Sequence, residues 1–249
     1  ARDDRAWAGP DPPAVAYLYA PGRGAKHAAG HLAGFRGVLQ VDGYAAYRGL
    51  TDPGRRDGPL ALAYCWSHCR RRFYELATAG DAPTAEEALR RIATLYRIET
   101  ELRGQPPEHR RAGRQAHAAP LLEAFRPWLE DQLVRVPSKS RLAEALRYPL
   151  KHWDGLVRYL EDGCLEIDTN IVERSIRPLA LNRKNALFAG SDRGAEHWAV
   201  IASLIETCKL NGANPHAYLT ETLGRLVAGH PQSRIDELMP WNQPNSSNV

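Results

Sequence analysis

The chain has 249 residues, of which 43% are hydrophobic, so it can form one large domain or two small ones with a sizeable core. Its net charge of +4 permits a nucleic-acid partner without requiring one, because the clustering of charge decides that question. Four unevenly spaced cysteines argue against a disulfide framework, and no apolar run approaches the roughly 20 residues of a membrane span. We therefore expect a cytoplasmic protein without a membrane partner.

Short apolar segments and helical patterns alternate in the first third of the chain. "AVAYLYA" (14–20) predicts a strand of a hairpin, and "GVLQVD" (37–42) predicts a buried strand that ends in Asp42. "LALAYCW" (60–66) predicts another buried strand, and helical spacing follows it from residue 67 to 79. This alternation predicts an α/β unit.

The pattern changes from about residue 81 to 161, where apolar residues recur every three or four positions. This block is expected to be an all-helical insertion into the α/β unit. The predicted division is a first part of the core (1–80), the helical insertion (81–161), a second part of the core (162–228) and a C-terminal tail (229–249).

The second part of the core begins with a short helix after Asp168. We expect this helix to end near Arg177, because Pro178 lacks a backbone donor and disfavours helix before it. "ALFAGS" (186–191) then suggests a short strand, and residues 194–212 predict an amphipathic helix closed by Gly212.

Glu173 lies inside a strongly cationic stretch, because from Glu173 to Arg193 there are five Lys or Arg and only two acids. An exposed ion pair between Glu173 and Arg177 is one interpretation, worth only about 0.3–0.5 kcal/mol. The alternative is a metal-binding carboxylate beside a phosphate backbone, which also accounts for the other cations. These cations are Arg174, Arg177, Arg183, Lys184 and Arg193.

Asp42 has two interpretations as well. Strand ends in open α/β sheets are where ligands bind, so an acid at the end of a buried strand is a candidate ligand. Asp is also favoured at helix N-caps, and Asp42 precedes a predicted helix that starts near Gly43.

The segment "CWSHC" raises the question of zinc. Cys65, His68 and Cys69 have the spacing of one helical face, but a structural zinc site usually needs four ligands. Cys164 and Cys208 stand alone in the sequence, so a packed helix start is the simpler interpretation.

Three motifs, "HLAGFRGVLQVDGYAAY", "CWSHCRRRFYEL" and "IDTNIVERSIRPLALNRKNALFAGSDRGAEHWA", together resemble the catalytic part of insertion sequence 66 family transposases. The resemblance runs from about residue 5 to 241. It implies a ribonuclease H-like core with a mixed sheet, an Asp-Asp-Glu metal site and a helical C-terminus. Asp42 matches the second aspartate and Glu173 the glutamate.

The same resemblance implies a chemistry and a set of partners. Two Mg²⁺ ions, for which Mn²⁺ can substitute, are expected to assist hydrolysis at a transposon end and strand transfer into target DNA. Arg174, Arg177, Arg183 and Lys184 are expected to contact the DNA, and Cys65, His68 and Asn170 to support the site. Strand transfer at two ends implies a homo-oligomer, associated with the bacterial nucleoid when it is bound to DNA.

The chain departs from the family pattern at one catalytic position. The first aspartate belongs to an upstream "Asp-Glu-Thr" motif, which the sequence does not contain, and Asp3 and Asp4 follow a different strand. We therefore expect an incomplete metal site in this chain. Two other interpretations are a non-catalytic DNA-binding or assembly remnant and a generic ribonuclease H-like nuclease.

Overall fold

The computed structural model describes residues 1–80, 82–182 and 189–243, which form a mostly helical α/β fold. Strands β1 (Val38–Val41) and β2 (Ala61–Tyr64) pair in parallel, with Val38 opposite Ala61 and Val41 opposite Tyr64. The predicted strands at 37–42 and 60–66 are thus confirmed. Within the described residues the sheet has these two strands, so the ribonuclease H-like core stays a prediction.

Helices account for most of the described residues before position 170. They are α1 (Ala25–His31), α2 (Trp66–Ala77), α3 (Pro83–Leu102), α4 (Pro107–His117), α5 (Ala119–Arg135), α6 (Arg141–Lys151) and α7 (Trp153–Val157). A 3₁₀ helix, Ala45–Thr51, lies on the connection between the strands, and another, Arg158–Leu160, follows α7. Helices α3 to α7 fill the block for which the sequence predicts helix, whereas the proposed domain boundaries stay predictions.

The chain divides into two compact units. The central unit comprises Ala6–Gly9 and Arg23–Asn170, and the terminal unit comprises Ala1–Arg5, Pro10–Gly22 and the chain from Ile171 onward.

The core of the central unit is built on aromatic side chains. The ring of Trp66 stacks on Phe125 at a centroid distance of 6.2 Å and meets the edge of Trp153 at 6.3 Å. The indole of Trp66 is fully buried, and its N–H donates to the Leu156 carbonyl at 2.9 Å. This packing joins the start of α2 to α5 and α7, next to the end of β2.

A buried ionic network fixes the segment that follows α7. Arg114 is fully buried and donates from Nε and Nη2 to the carboxylate of Glu99, at 2.7 and 2.6 Å. The same guanidinium donates to the carbonyls of Tyr159, Asp162 and Leu165. Arg110 donates to the Gly163 carbonyl and to Glu166. The helices α3 and α4 therefore hold residues 159–166 through charge-assisted hydrogen bonds.

The terminal unit contains α8 (Asn170–Asn182, which starts one residue before the unit), α9 (Asp192–Leu210) and α10 (Pro215–Val227), followed by 3₁₀ helices Gln232–Leu238 and Pro240–Asn242. The predicted end of α8 near Arg177 is wrong, because the helix continues through Pro178. Proline has no N–H to donate to the preceding helical turn. Because Pro178 is exposed, water can take the place of that hydrogen bond. The predicted strand at 186–191 falls partly outside the described residues, and residues 189–191 are not in a strand.

The segment 14–20 is extended but does not form the predicted strand. Its antiparallel pairing is a single bridge between Ala14 and Arg2. The backbone is instead bonded to side chains of α9: Ser203 accepts from the Tyr17 N–H at 2.8 Å, and Thr207 both accepts from the Val15 N–H and donates to its carbonyl. Asn211 donates to the Pro13 carbonyl. Polar side chains four residues apart on one helix therefore replace a partner strand.

Among the described residues, no helix combines the length and the apolar character that crossing a membrane requires.

Candidate functional site

The ends of the two parallel strands bring Asp42 and Cys65 to one edge of the sheet. Val41 pairs with Tyr64, so the residue after each strand leaves the sheet at the same level. The carboxylate of Asp42 is exposed, and its Oδ1 accepts a hydrogen bond from the Tyr44 N–H at 2.8 Å. Through this bond to the amide two residues later, Asp42 stabilises the turn after β1. It is not the N-cap of a long helix.

Tyr148, from α6, lies against the backbone of this turn. Its hydroxyl donates to the Asp42 carbonyl at 3.5 Å, and a Cβ on Gly43 would lie only 2.9 Å from the same oxygen. Gly43 has φ of +93°, so the turn needs glycine both for its backbone conformation and for this close approach. The guanidinium of Arg72 lies over the Tyr148 ring, 4.2 Å from its centroid.

The phenol of Tyr148 stays protonated at neutral pH. Burial raises its pKa to about 12, and the negative charge of a thiolate at Cys69 would act in the same direction. Tyr148 is therefore a hydrogen-bond donor at this edge of the sheet, not an acid or base near neutrality.

Cys65, buried at the end of β2, holds the chain segment that approaches α8. Its sulfur accepts from the Thr169 N–H at 3.3 Å, and the next residue, Trp66, donates its N–H to the Ile167 carbonyl at 3.1 Å. The side chain of Gln40 in β1 also donates to the Glu166 carbonyl, at 2.7 Å. Side chains of the strand region and the Trp66 amide thus hold residues 166–169 through hydrogen bonds to their backbone groups.

Asp168 is a residue of this region that the sequence reasoning passed over. Its carboxylate accepts from the Asn170 backbone N–H at 2.9 Å and from the Asn170 side-chain amide at 2.5 Å. Burial raises the pKa of Tyr96, and the neighbouring Asp168 carboxylate raises it further. The signal in the sequence was the acid two residues before the first residue of a helix, where a carboxylate can accept from exposed helical N–H groups.

The histidine and the second cysteine of the "CWSHC" segment lie on the first turns of α2. A ring nitrogen of His68 lies within 4.8 Å of the Cys65 sulfur. Cys69 is fully buried, and burial raises the pKa of its thiol. Since zinc binds the thiolate, this environment works against Cys69 as a ligand and favours the packed helix start.

Helix α8 presents its charged residues to solvent. Glu173, Arg174 and Arg177 are exposed, whereas Ser175 is buried. Tyr17 donates from its hydroxyl to the Ser175 carbonyl, which fastens α8 inside the terminal unit. Arg183 and Lys184, the other two predicted DNA contacts, lie outside the described residues.

The candidate ligands are divided between the two units. Asp42, Cys65, His68 and Asn170 belong to the central unit, and Glu173 belongs to the terminal unit. The pairing of Asp42 with Glu173 therefore stays a prediction. Asp3 forms an ion pair with Arg5 and the buried Asp4 one with Arg2, each at 2.6 Å.

The donor chemistry at Asp42 fits a hard divalent cation. The carboxylate is exposed, carries a second oxygen besides the one that accepts from Tyr44, and follows a strand whose neighbour ends at the same edge. Magnesium prefers carboxylate oxygens and keeps several waters, which an exposed acid permits.

Comparison with known proteins places the chain among transposases. Residues 1–197 match the family model described as Transposase IS66 family, and residues 203–241 match the IS66 C-terminal element. The chain therefore belongs to the IS66 transposase family.

Its curated relatives come from Sinorhizobium fredii (strain NBRC 101917 / NGR234). The chain is 46% identical over 245 residues to the uncharacterized protein y4qI and 44% identical over 243 residues to the uncharacterized protein y4jD. These alignments cover 97% and 96% of this chain but 46% and 48% of the relatives, so the chain spans about half of their length. No solved structure matches the chain.

Proposed function

We propose that this chain is the catalytic part of a transposase of the Asp-Asp-Glu type, which cuts DNA at the ends of an insertion sequence and joins those ends to target DNA. The observation that carries the proposal is the family match over nearly the whole chain. The exposed Asp42 at the carboxyl end of a parallel strand supports it, because ligands of α/β sheets bind at such ends.

Asp42 and Glu173 are the residues that we propose to hold Mg²⁺, or Mn²⁺ in its place. When bound, a pair of such ions neutralises charge on the reacting phosphate and on the attacking and leaving oxygens. The Tyr44 N–H keeps one oxygen of the Asp42 carboxylate in a fixed orientation. Tyr17 fixes the helix that carries Glu173 by bonding to the Ser175 carbonyl.

The arginines of α8 supply the electrostatic part of the proposal. Arg174 and Arg177 are exposed cations, the kind of side chain that neutralises DNA phosphates. Arg183 and Lys184 are proposed for the same role from the sequence alone. Contacts of this kind position a duplex without reading its sequence, so we assign them no role in recognising the ends.

Joining two transposon ends to one target requires two active chains. We therefore propose a homo-oligomer as the active complex, with transposon-end DNA and target DNA as its partners. We propose that the first acid of the motif has no counterpart among the 249 residues. For that reason we expect the isolated chain to nick transposon-end DNA poorly or not at all with Mg²⁺, and nicking at the rate of a longer family member would contradict this.

Transposition in bacterial cells tests the catalytic proposal. An insertion sequence whose transposase contains this chain as part of a longer protein is scored with Asp42→Ala or Glu173→Ala. Each change is expected to lower the transposition frequency by about 10³-fold or more. Rate losses of this size are typical when a group that stabilises the transition state is removed. Glu86→Ala, at an exposed position of α3, is the matched control and should leave the frequency within about twofold.

The same variants separate this proposal from a DNA-binding or assembly remnant. A remnant has no chemistry to lose, so Asp42→Ala and Glu173→Ala would leave every measurable activity as it was. A generic nuclease would lose cleavage in both variants, but the unmodified chain would never join a 3′ end to target DNA.

A further inference from the structure

A cavity of about 370 Å³ opens on the outer side of β2, within the central unit. Its walls come from β2, the end of α6 and α7, and Arg126 of α5 also lines it. The volume lies at the low end of the range for small-ligand sites, and the lining mixes apolar side chains with charged ones. Three cations, Arg126, Lys151 and Arg158, and one carboxylate, Asp154, are among the described residues that line it.

The cations of this cavity are not equally mobile. Arg158 is half-buried and donates from Nε to the Leu62 carbonyl at 3.2 Å, so its guanidinium is held against the sheet. Arg126 is exposed, and its ion pair with Glu130, at 3.2 Å between exposed side chains, is of the kind that contributes little. Lys151 is exposed at the end of α6. The site combines one fixed and two adaptable cations.

A row of aromatic rings connects the cavity with the Asp42 turn. The ring of His152, which lines the cavity, lies 4.2 Å from the centroid of Tyr64 and 4.8 Å from that of Tyr148. Tyr148 in turn contacts the Asp42 backbone, and the guanidinium of Arg72 lies over the Tyr148 ring. The cavity and the candidate metal ligand therefore belong to one continuous part of the central unit.

Positive charge extends along the same row. Burial lowers the pKa of His152, and the charges of Lys151, Arg48 and Arg72 lower it further, which places three cations near this ring. Arg48 and Arg72 are exposed. Together with Arg126 and Arg158 they give five cations, against the carboxylates of Asp42, Glu130 and Asp154. We name this surface the His152 patch, defined by Arg48, Arg72, Arg126, Lys151, His152 and Arg158.

Spaced cations beside a candidate phosphoryl-transfer site fit a polyanion better than a single small anion. A chain of phosphates can contact several of these cations at once, whereas one phosphate can fill only the cavity. The buried His152 and the half-buried Tyr148 are neutral, so they add no negative charge among the cations.

We propose that the His152 patch binds the sugar-phosphate backbone of the DNA on which the Asp42 edge acts, with one phosphate held in the cavity by Lys151, Arg126 and Arg158. The identification of the ligand as DNA rests on the proposed function. The patch consists of other residues than the arginines of α8, and it lies in the central unit.

Binding of a fluorescein-labelled DNA duplex with a single-stranded branch, followed by anisotropy over a series of salt concentrations, tests the proposal on the 249-residue chain. Lys151→Glu should weaken binding about 5- to 10-fold near 0.1 M salt and reduce the slope of log K against log salt by about 1, the effect of one lost phosphate contact. Arg126→Gln should act in the same direction. Lys139→Glu, an equal charge change at another exposed lysine, should leave affinity within about twofold.

A second measurement does not depend on variants. Acetylation of lysines in the free and DNA-bound chain, read by mass spectrometry, should show Lys151 protected by DNA and Lys139 modified equally in both. Equal modification of Lys151 with and without DNA, or equal affinity of Lys151→Glu and Lys139→Glu, would overturn the proposal, as would absence of DNA binding by the unaltered chain.

The outcomes also separate the patch from the catalytic proposal. If Lys151 is protected but Asp42→Ala and Glu173→Ala transpose normally, the patch stands and the catalytic assignment fails. If those two variants lose transposition while Lys151 remains fully reactive on DNA, the patch alone is wrong.

Discussion

The hydroxyl of Tyr17 donates a hydrogen bond to the backbone carbonyl of Ser175, two residues beyond Glu173 on α8. Tyr17 comes from the extended segment near the N-terminus, and its own backbone is bonded to Ser203 of α9. Burial raises the pKa of Tyr17 to about 12, so the phenol remains a donor at any pH at which the protein would be assayed. The segment 14–20 thus connects α8 to α9 within the terminal unit.

Tyr17→Phe should loosen α8. A hydrogen bond of this kind contributes about 0.5–1.5 kcal/mol net, so amide protons of α8 are expected to exchange roughly 2- to 10-fold faster. Hydrogen exchange measured by mass spectrometry checks this. Tyr19→Phe is the matched control, because the Tyr19 hydroxyl donates to Asp192 at the start of α9 instead. Unchanged exchange of α8 in Tyr17→Phe would show that the contact does not hold the helix.

Arg114→Ala should be strongly destabilising. The change removes the Arg114 donor from three backbone carbonyls and from the Glu99 carboxylate, which keeps Arg110 at 3.2 Å, and breaking a buried pair costs about 3–5 kcal/mol. Chemical denaturation monitored by circular dichroism gives the value. Arg135→Ala removes an exposed pair with Asp131 and should cost less than about 1 kcal/mol. Similar losses for the two arginines would mean that the buried network contributes no more than a surface pair.

Gly155→Ala should disturb the contact between α7 and β2. A Cβ at this position would lie 2.3 Å from the Tyr64 ring and 2.8 Å from the Leu62 carbonyl oxygen, so strand or helix must move. We expect a loss of about 1–3 kcal/mol in the free energy of unfolding, as for other overpacked sites. Gly224→Ala in α10 meets no atom within 4 Å and should be neutral or stabilising by up to about 1 kcal/mol. If Gly155→Ala behaved like Gly224→Ala, the close packing of α7 on β2 would be wrong.

Stability should fall when the pH is lowered through the range in which His152 titrates. Burial and the neighbouring cations Lys151, Arg48 and Arg72 lower its pKa below the ordinary value of about 6.5, so the unfolded chain takes up a proton first. The contribution of His152 is therefore fully present above pH 6.5 and is lost as the pH falls towards its folded-state pKa. His152→Phe keeps a ring but does not titrate, so its free energy of unfolding should decrease less between pH 7.5 and 5.5. Parallel curves for the two proteins would contradict this origin of the pH dependence.

The sequence predicts the local features of this protein better than its long-range ones. Two short apolar runs bounded by turn residues predict the strands that precede Asp42 and Cys65. Both runs form strands. The segment 14–20 has the same composition, yet its backbone bonds to Ser203 and Thr207, about 190 residues away. Spacing within a short segment carries no information about such partners.

The burial of charged residues is also hard to predict from the local sequence, because their partners lie far along the chain. Arg110 and Arg114 lie in a polar stretch that is typical of a solvated helix, but both are buried against Glu99 and backbone carbonyls. Tyr148 lies 106 positions from Asp42 and nothing in its local pattern indicates that contact. Pro178 predicted a helix end, and the exposed position of the proline lets α8 continue.

Binding of Mn²⁺ to the chain, followed by electron paramagnetic resonance, tests the proposed sharing of one ion by Asp42 and Glu173. The comparison uses the unaltered chain, Asp42→Asn, Glu173→Gln and the double variant. If both acids hold the same ion, each single change should weaken binding at least about tenfold, and the double variant should bind little more weakly than either single one, because coupled ligands are not additive. Single changes that leave Mn²⁺ affinity unaltered, or two losses that simply add, would contradict the shared site.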